Sequence, residues 1–531
     1  MKQVKRVVTL ILTLALMAGC LVFPASAAAK KKDSLEVMVL SDTHVLESNL
    51  IADNKSYQDA LAKNLKLFNE SEAIFDQEIE RVLKEKPDVL LLSGDLTKDG
   101  ELESHKSVAA KLEALKKKMP NLKIYVTPGN HDIRNKNGYN YAEDTEATRT
   151  NPEDFRDVYG VTYQDDSIIA TYKPSTGEAN GLSYVARLDS GYTIISVDSC
   201  CYSSDNTESG EDEHETRGNL TDECRQWVLE QIAAAKKRGD KIIGMTHHGV
   251  VEHFTVEHTI LSDFLMDNYE DVATEWADAG MSYVFTGHQH SNDIAQLTTE
   301  SGNVIYDLET GSAMAHPCPT RIVTFKKNSV EGKTILHKSL TYYNPQTKKM
   351  GHISDLTTLS CSDSYGINAD MLDQWVKDFF AEKLGSYPAS VQKSVVAAME
   401  ELFSLELADG ADVQKLLNYV YYTSMSGDDH GDNPEWYTKS IAKVSTGYLV
   451  DELVRILNKH LAVMGADVTF AVLDALLPEG VSPLFTWCGS YLTLGPIAKG
   501  ALTAFALNIC DSMTNDQNFV DDNDFAIQET A

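Results

Sequence analysis

The sequence has little positive charge. Its 531 residues include 47 lysines and arginines against 79 aspartates and glutamates, which gives a formal net charge of −32. Such a surface repels polynucleotides at long range, so we expect no coating by nucleic acid. A small anionic substrate held through bound metal ions is compatible with this charge.

Long uncharged hydrophobic runs are also missing beyond the N-terminus. There, Lys2, Lys5 and Arg6 precede the apolar run VVTLILTLALMAGCLVF, and PASA follows with small residues at the cleavage spacing. This pattern predicts a signal peptide over residues 1–27 and an exported protein, secreted or at the cell surface. The alternative is a lipoprotein anchored at Cys20, because LMAGC approximates a lipobox. We expect no transmembrane helix in the mature chain.

Cysteine is sparse and unclustered. The chain has eight cysteines and no CxxC pair, which argues against a zinc ribbon. Export would permit disulfides, and a bond from Cys200 or Cys201 to Cys224 is one candidate. The remaining cysteines are typical of buried apolar thiols.

The length predicts at least two domains. Over residues 35–345, short apolar runs alternate with helical patterns, and most runs end in polar residues, which predicts a layered α/β domain with its functional groups at strand ends. Residues 360–515 have the spacing of amphipathic or buried helices and predict an all-α C-terminal domain. Residues 516–531 form an acidic tail, for which we expect loose order.

Five short polar motifs follow apolar runs and carry metal-binding residue types. Together they supply carboxylates, one amide oxygen and several imidazoles, but no thiolate, a set that suits two divalent cations. Each motif alone could be an ordinary turn; five in this order, each at a strand end, indicate a metal site. They contain Asp42 and His44 in SDTH, Asp95 in SGDLTKDGE, Asn130 and His131 in PGNHD, His247 and His248 in MTHHG, and His288 and His290 in TGHQH.

This succession, DTH…GD…GNHD…H…GHQH, resembles the signature of the calcineurin-like metallophosphoesterase superfamily. The run GDLTKDGE is most similar to its class III cyclic-nucleotide phosphodiesterase-like branch. The resemblance covers about residues 35–345 and implies a four-layer αββα sandwich with a two-metal site. The ligand types accept manganese, iron or zinc.

The resemblance also implies which residues bind each cation. It assigns one metal to Asp42, His44, Asp95 and His290, and the other to Asp95, Asn130, His247 and His288, with Asp95 as the bridge. His247 is preferred over His248 as the first histidine of its pair, and the choice between them stays open.

His131 is the predicted general acid. Two cations would acidify a shared water and hold hydroxide in line with phosphorus, and the leaving alkoxide would then need a proton. Because His131 directly follows Asn130, it lies beside the metals, and the resemblance implies the same role. Asp132 could orient its ring, or it could be a solvated turn residue.

Several other residues have weaker claims. Lys98 stands where purple acid phosphatases need a tyrosine, so we expect no iron–tyrosinate site. Asp198, in the strand-end segment VDSC, could also belong to the site, but we prefer a structural role for it. His316 or Arg321 could line the substrate cleft, where an arginine would suit phosphate, but for Arg321 we prefer a solvated surface loop.

The sequence therefore predicts an exported binuclear metallophosphoesterase that hydrolyses a small phosphate ester, and we favour a phosphodiesterase. One alternative is a phosphomonoesterase or nucleotidase, because these ligands bind any phosphate. The other is an extracytoplasmic binding protein that kept the fold but lost turnover. The oligomeric state and the physiological substrate stay open.

Overall fold

The computed structural model describes residues 34–255, 257–360, 385–427, 433–476, 481–514 and 522–528. The predicted signal peptide and Cys20 lie outside these residues. No helix in the described part of the chain combines the length and the apolar character needed to cross a bilayer.

The first of two large sheets has six strands. Its three N-terminal strands are parallel neighbours, and the strand Leu35–Leu40 also pairs antiparallel with Pro319–Phe325. In spatial order the strands are Ala526–Gln528, Ser329–Leu336, Pro319–Phe325, Leu35–Leu40, Val89–Leu92 and Lys123–Val126.

The second large sheet has seven strands, and its centre is parallel. Lys241–Met245 pairs in parallel with Tyr192–Ser196 and with Tyr283–Thr286, which in turn pairs in parallel with Val304–Glu309. The spatial order is Ile294–Thr298, Val304–Glu309, Tyr283–Thr286, Lys241–Met245, Tyr192–Ser196, Tyr184–Leu188 and Ile168–Thr171.

The two sheets pack face to face, and helices cover their outer faces. Along the strand Leu35–Leu40, Val37 and Val39 enter the core between the sheets, whereas Met38 and Leu40 enter the outer core, as the two-residue period of a strand requires. The helices Ser71–Glu85 and Leu102–Lys118 cover the first sheet, and Asp222–Arg238 and Tyr269–Ala279 cover the second. The predicted layered α/β fold is confirmed.

The helix Asp222–Arg238 illustrates how local sequence sets these elements. The hydroxyl of Thr221 accepts a hydrogen bond from the amide of Cys224 at 3.2 Å and caps the N-terminus. Acids occupy the first turn and bases the last, which complements the helix dipole. Gly239, with φ of 76°, ends the helix.

Short elements connect these layers. Short antiparallel strands of two to five residues pair as Tyr139–Asn140 with Thr145–Glu146, Cys200–Cys201 with Glu215–Gly218, and Leu340–Asn344 with Lys349–Ile353. Short helices span Lys55–Ala62, Pro152–Val158, Gly160–Tyr163, Glu257–Ile260 and Leu356–Ser360.

The C-terminal region is helical where it is described, as predicted. Its apolar side chains form two clusters, one around Val395 and Val472 and one around Val420 and Tyr437. Two small hairpins, Glu406–Ala408 with Ala411–Asp412 and Phe485–Cys488 with Tyr491–Leu494, accompany the helices. The helices span Ala389–Phe403, Val413–Met425, Glu435–Ser445, Tyr448–His460, Ala466–Leu476 and Pro496–Ser512.

The acidic tail is not loosely ordered where it is described. Ala526–Gln528 forms the edge strand of the first sheet, antiparallel to Ser329–Leu336. Phe525 is buried, and its ring fills the space above Gly332, where a Cβ would lie 1.9 Å from the ring. Residues 525–528 therefore belong to the first sheet, although the composition of the tail predicts a solvated segment.

Arg321 lies neither in the cleft nor in a surface loop. It belongs to the strand Pro319–Phe325 and its side chain is fully buried. Its guanidinium donates to the carbonyls of Asp522 and Glu309, both at 2.7 Å. Its charge is thus used to join the tail to the sheet rather than to bind substrate.

The candidate disulfide is not formed. Cys200, Cys201 and Cys224 are free thiols. Cys200 packs in the outer core of the first sheet, whereas Cys224 packs in that of the second, so the two lie in different layers.

Candidate metal centre

All five motifs meet at one edge of the sandwich. Each lies directly after the carboxyl end of a parallel strand, three in the first sheet and two in the second. Because carboxyl ends of parallel strands share an edge, residues far apart in sequence converge there. The strands are Leu35–Leu40, Val89–Leu92, Lys123–Val126, Lys241–Met245 and Tyr283–Thr286.

The backbone at these strand ends is strained. Non-glycine residues rarely adopt a positive φ, yet several residues of the site do so. Strain of this kind persists where the surrounding structure fixes a functional geometry. The values are 49° at Asp42, 36° at His44, 49° at Asp95, 78° at His288 and 69° at His290.

One group of side chains is formed by Asp42, His44 and His290. Nε2 of His290 lies 3.2 Å from Nε2 of His44 and 3.3 Å from Oδ1 of Asp42. One donor atom from each of the three residues lies within 4.8 Å of the others, which is close enough for a shared cation.

A second group contains Asp95, Asn130, His247 and His288. Nε2 of His247 lies 3.1 Å from Oδ1 of Asn130 and 3.5 Å from Oδ1 of Asp95. Donor atoms of Asp95, His247 and His288 also lie within 4.8 Å of one another. The other oxygen of Asp95, Oδ2, is 3.6 Å from Nε2 of His44, so Asp95 stands between the two groups.

His247 and His248 differ in where their rings point. Nδ1 of His247 is held 2.8 Å from the carbonyl of Ser93, which leaves Nε2 facing the cluster. Both nitrogens of His248 have partners elsewhere, Ser199 Oγ at 2.7 Å and the carbonyl of Thr216 at 2.8 Å. The structure therefore brings His247 into the cluster and leaves His248 behind it.

Two glycines allow the loops to approach this closely. A Cβ on Gly94, whose φ is 101°, would lie 2.3 Å from Nδ1 of His247. A Cβ on Gly129 would lie 2.2 Å from Oδ1 of Asp95. The glycines of the GD and GN motifs are thus required by packing within the site.

His131 lies at the edge of both groups. Its ring is edge-on to His44 with centroids 4.9 Å apart, and its Nε2 is 3.9 Å from Oδ2 of Asp95. Its Nδ1 lies 2.8 Å from Oδ1 of Asp99. Asp99 in turn pairs with the buried ammonium of Lys98.

The prediction that Asp132 orients His131 is wrong. Asp132 is fully buried and accepts hydrogen bonds from the amides of Gly129, Leu96 and Thr97 at 2.9, 3.1 and 3.0 Å. It ties two loops of the site together. Sequence reasoning missed Asp99, although it lies in the same GDLTKDGE motif as Asp95.

Two further candidate residues, His316 and Asp198, make their contacts away from the two ligand groups. Nε2 of His316 lies 3.1 Å from Oγ of Ser426 in the helical region, so His316 does not line the cleft. Asp198 accepts from Tyr202 Oη at 2.6 Å and from the amide of Cys200 at 3.1 Å, which agrees with a structural role.

Burial and neighbouring charges set the protonation states of the proposed ligands. Burial lowers the pKa of His44, His288 and His290, which favours the neutral imidazole that binds metals. Burial opposes ionisation of Asp95, but His131 and His247 outweigh it and hold its pKa well below the usual range. For His247, burial is likewise outweighed, and the Asp95 carboxylate raises its pKa to about 9. This imidazole therefore has to release a proton when it binds a cation.

The donor set fits divalent cations. Oδ1 of Asp42 is buried and receives no hydrogen bond, as expected of an oxygen reserved for a cation. Oxygen and imidazole donors from Asp, Asn and His surround the same space, with no thiolate among the described groups.

A cleft of about 580 Å³ opens beside His131. Its lining includes lysines, tyrosines and Asp99. Two of its lining residues, Lys66 and His131, contact His44 of the first ligand group.

The family comparison agrees with this geometry. Residues 35–292 match the model of the calcineurin-like phosphoesterase family. No curated protein matches the chain.

The solved structures that match this chain have low identity to it. A dimetal phosphatase from Danio rerio is 12% identical, with a TM-score of 0.38, and the match covers 60% of this chain and 99% of that one. A purple acid phosphatase from yellow lupin, Lupinus luteus, is 12% identical with a TM-score of 0.33, covering 64% and 56%. The phosphopantetheinyl hydrolase from Mycobacterium tuberculosis is 13% identical with a TM-score of 0.26, covering 53% and 90%.

Proposed function

Because residues 35–292 match the model of the calcineurin-like phosphoesterase family, we propose that this protein is an exported, binuclear metal-dependent phosphohydrolase that cleaves phosphodiesters. The observation that carries the proposal is the position of Asp95 between two groups of ligands, with His131 at their edge.

Each ligand group would hold one cation. Asp42, His44, Asp95 and His290 would bind the first, and Asp95, Asn130, His247 and His288 the second. Manganese, iron or zinc suits these donors. When bound, the cations would supply positive charge to phosphate oxygens and lower the pKa of water.

His131 would then protonate the leaving group. Its Nδ1–H donates to Asp99, which fixes the ring and leaves Nε2 directed toward the ligand groups. In its protonated form the ring donates from Nε2 to the oxygen of the departing alcohol. The alcohol leaves through the cleft beside His131.

The diester preference is the finer part of the proposal, and the resemblance of GDLTKDGE supports it. The test is to load the purified protein separately with manganese, iron and zinc, and to offer a chromogenic phosphodiester and its matching monoester. We expect faster turnover of the diester. Faster turnover of the monoester would identify a phosphatase or nucleotidase, and no turnover of either with any metal would leave a binding protein.

Export is proposed from the N-terminal sequence. The basic start, the apolar run and PASA support removal of residues 1–27. Expression of the full chain in a secreting host should yield a soluble extracytoplasmic protein that begins at Ala28. A membrane-bound form beginning at a lipidated Cys20 would favour the lipoprotein instead.

A further inference from the structure

We propose that Lys66 forms an anion-binding subsite for the leaving alcohol, so that the preferred substrates are phosphoesters whose alcohol part carries its own negative charge. The inference rests on the proposed hydrolase function, which it deepens by naming a substrate class.

The cleft beside His131 is the place where this alcohol would lie. His131 and Asp99 line it, and so do Lys66, Lys98 and Lys136. Since His131 is the proposed donor to the leaving oxygen, whatever occupies this cleft belongs to the leaving group. A cluster of lysines there stands out in a chain of net charge −32.

Two of the three lysines already form close ion pairs. The ammonium of Lys98 is buried against the carboxylate of Asp99. Lys136 is exposed at the rim, with Nζ 3.6 Å from Oε2 of Glu213. Lys66 forms no ion pair with a carboxylate in the described part of the chain, and its polar contact is Nδ1 of His44 at 3.5 Å.

The contact between Lys66 and His44 presents two donors to a ligand. Nε2 of His44 faces Asp42, Asp95 and His290, so a cation bound there takes Nε2 and leaves the ring proton on Nδ1. Nδ1–H and the ammonium of Lys66 then cannot donate to each other. One anionic oxygen can accept from both, which satisfies both groups.

This subsite is separate from the place of the reacting phosphate. The reacting phosphate would contact cations on the Nε2 side of His44, whereas Lys66 lies on the Nδ1 side. The anion bound by Lys66 is therefore a second negative group of the same substrate.

The neighbouring wall of the cleft accepts a flat leaving group. Phe68, Tyr139 and Tyr141 line it, and the rings of Tyr139 and Tyr141 have centroids 5.1 Å apart. Aryl esters are therefore suitable probes.

The test uses two aryl phosphodiesters whose leaving nitrophenols differ only by one carboxylate. We expect the metal-loaded wild-type protein to prefer the carboxylated ester. Lys66→Met should lower kcat/KM for that ester by roughly 10- to 100-fold, the effect of losing a charged hydrogen bond, with much less change for the uncharged ester. Lys66→Arg should retain most of the preference.

The matched control is Lys63→Met, which removes an exposed lysine outside the cleft lining and should leave the turnover of both esters unchanged.

Calorimetric titration of the metal-loaded proteins with the carboxylated nitrophenol measures binding without turnover. Lys66→Met should weaken this binding. An equal loss on both esters, or unchanged binding and turnover, would overturn the subsite. If wild type cleaves neither ester, the hydrolase proposal fails, and the titration alone still decides whether Lys66 binds the anion.

Discussion

Nδ1 of His131 lies 2.8 Å from Oδ1 of Asp99, at the edge of the two ligand groups. Asp99 is itself paired with Lys98, whose ammonium lies 5.3 Å from the ring centroid of Phe68 and 5.6 Å from that of Tyr141. Each member thus fixes the next, and the imidazole is held in one orientation while its Nε2 remains available.

His131→Ala tests whether this imidazole is an acid or a ligand. We expect turnover to fall by about 10²- to 10⁴-fold, most for esters with poor leaving groups, because a poor leaving group needs the proton most. Metal content, measured by mass spectrometry of the purified protein, should equal that of wild type. Because donor atoms of His131, His44 and Asp95 also lie within 4.8 Å of one another, a loss of bound metal would identify His131 as a ligand instead.

Asp99→Asn tests the positioning of His131. The amide keeps the shape of the carboxylate but not its charge, so kcat for poor leaving groups should fall by about 10- to 100-fold. KM and metal content should stay close to wild type. Glu146→Gln is the matched control, since Glu146 is an exposed acid that lines the same cleft. If both substitutions lower kcat for poor leaving groups equally, Asp99 acts only by adding negative charge to the cleft and not by positioning His131.

Most of the candidate site residues could be predicted from the sequence because each directly follows a predicted strand. Asp95 and His247 each come directly after an apolar run, and parallel strands bring such ends together. Adjacent residues were harder to assign: Asp132 neighbours His131 in sequence, yet a tight loop turns its carboxylate to Gly129 and two other amides. Whether Asp99 or Asp132 reaches the His131 ring depends on the geometry of the loops, which cannot be inferred from the spacing of residues in the sequence.

Long-range contacts explain the other differences. Arg321 and Phe525 lie about 200 residues apart and are buried against each other. Burial is unusual for an arginine, and the acidic composition around Phe525 does not predict that this phenylalanine is buried. One of the two carbonyls that accept from buried Arg321 belongs to Asp522 of the tail, and a composition-based interpretation treats that tail as solvated. Lys66 was missed for the same reason, because its significance comes from His44 and the cleft rather than from a motif.

Asp132→Ala should act mainly on stability. Removing the carboxylate leaves three buried amides without an acceptor, and each such group costs about 1–3 kcal/mol. We therefore expect the free energy of unfolding to fall by about 3 kcal/mol or more in denaturant titrations. Asp166→Ala, at a side chain that is 91% exposed, should change it by less than about 0.5 kcal/mol. Full stability of Asp132→Ala with a selective loss on poor leaving groups would return Asp132 to the role of orienter.

Phe525→Ala tests whether the end of the chain is part of the first sheet. The ring is 3% exposed and packs over Gly332, so truncation should leave a cavity and lower the free energy of unfolding by about 3–5 kcal/mol. Ile497→Ala provides the control, because that side chain is 91% exposed in the helical region. If both variants unfold at the same denaturant concentration as wild type, the tail strand contributes nothing to the fold.

His316 should make stability depend on pH below neutrality. Burial lowers its pKa from 6.5 to about 4, although the Thr357 carbonyl opposes the shift. The unfolded chain therefore binds the proton more readily, so the stabilising contribution is complete above pH 6.5 and is lost as the pH falls toward 4. The shift corresponds to a loss of up to roughly 3 kcal/mol in the free energy of unfolding.

Denaturant titrations between pH 7.5 and 4.5, in about half-unit steps, measure this effect. The free energy of unfolding should decline less steeply for His316→Gln than for wild type, since glutamine does not titrate. His352→Gln, at an exposed histidine, should follow the wild-type curve. Parallel curves for wild type and His316→Gln would mean that His316 is accessible to protons in the folded protein and that its contact with Ser426 does not couple the helical region to pH.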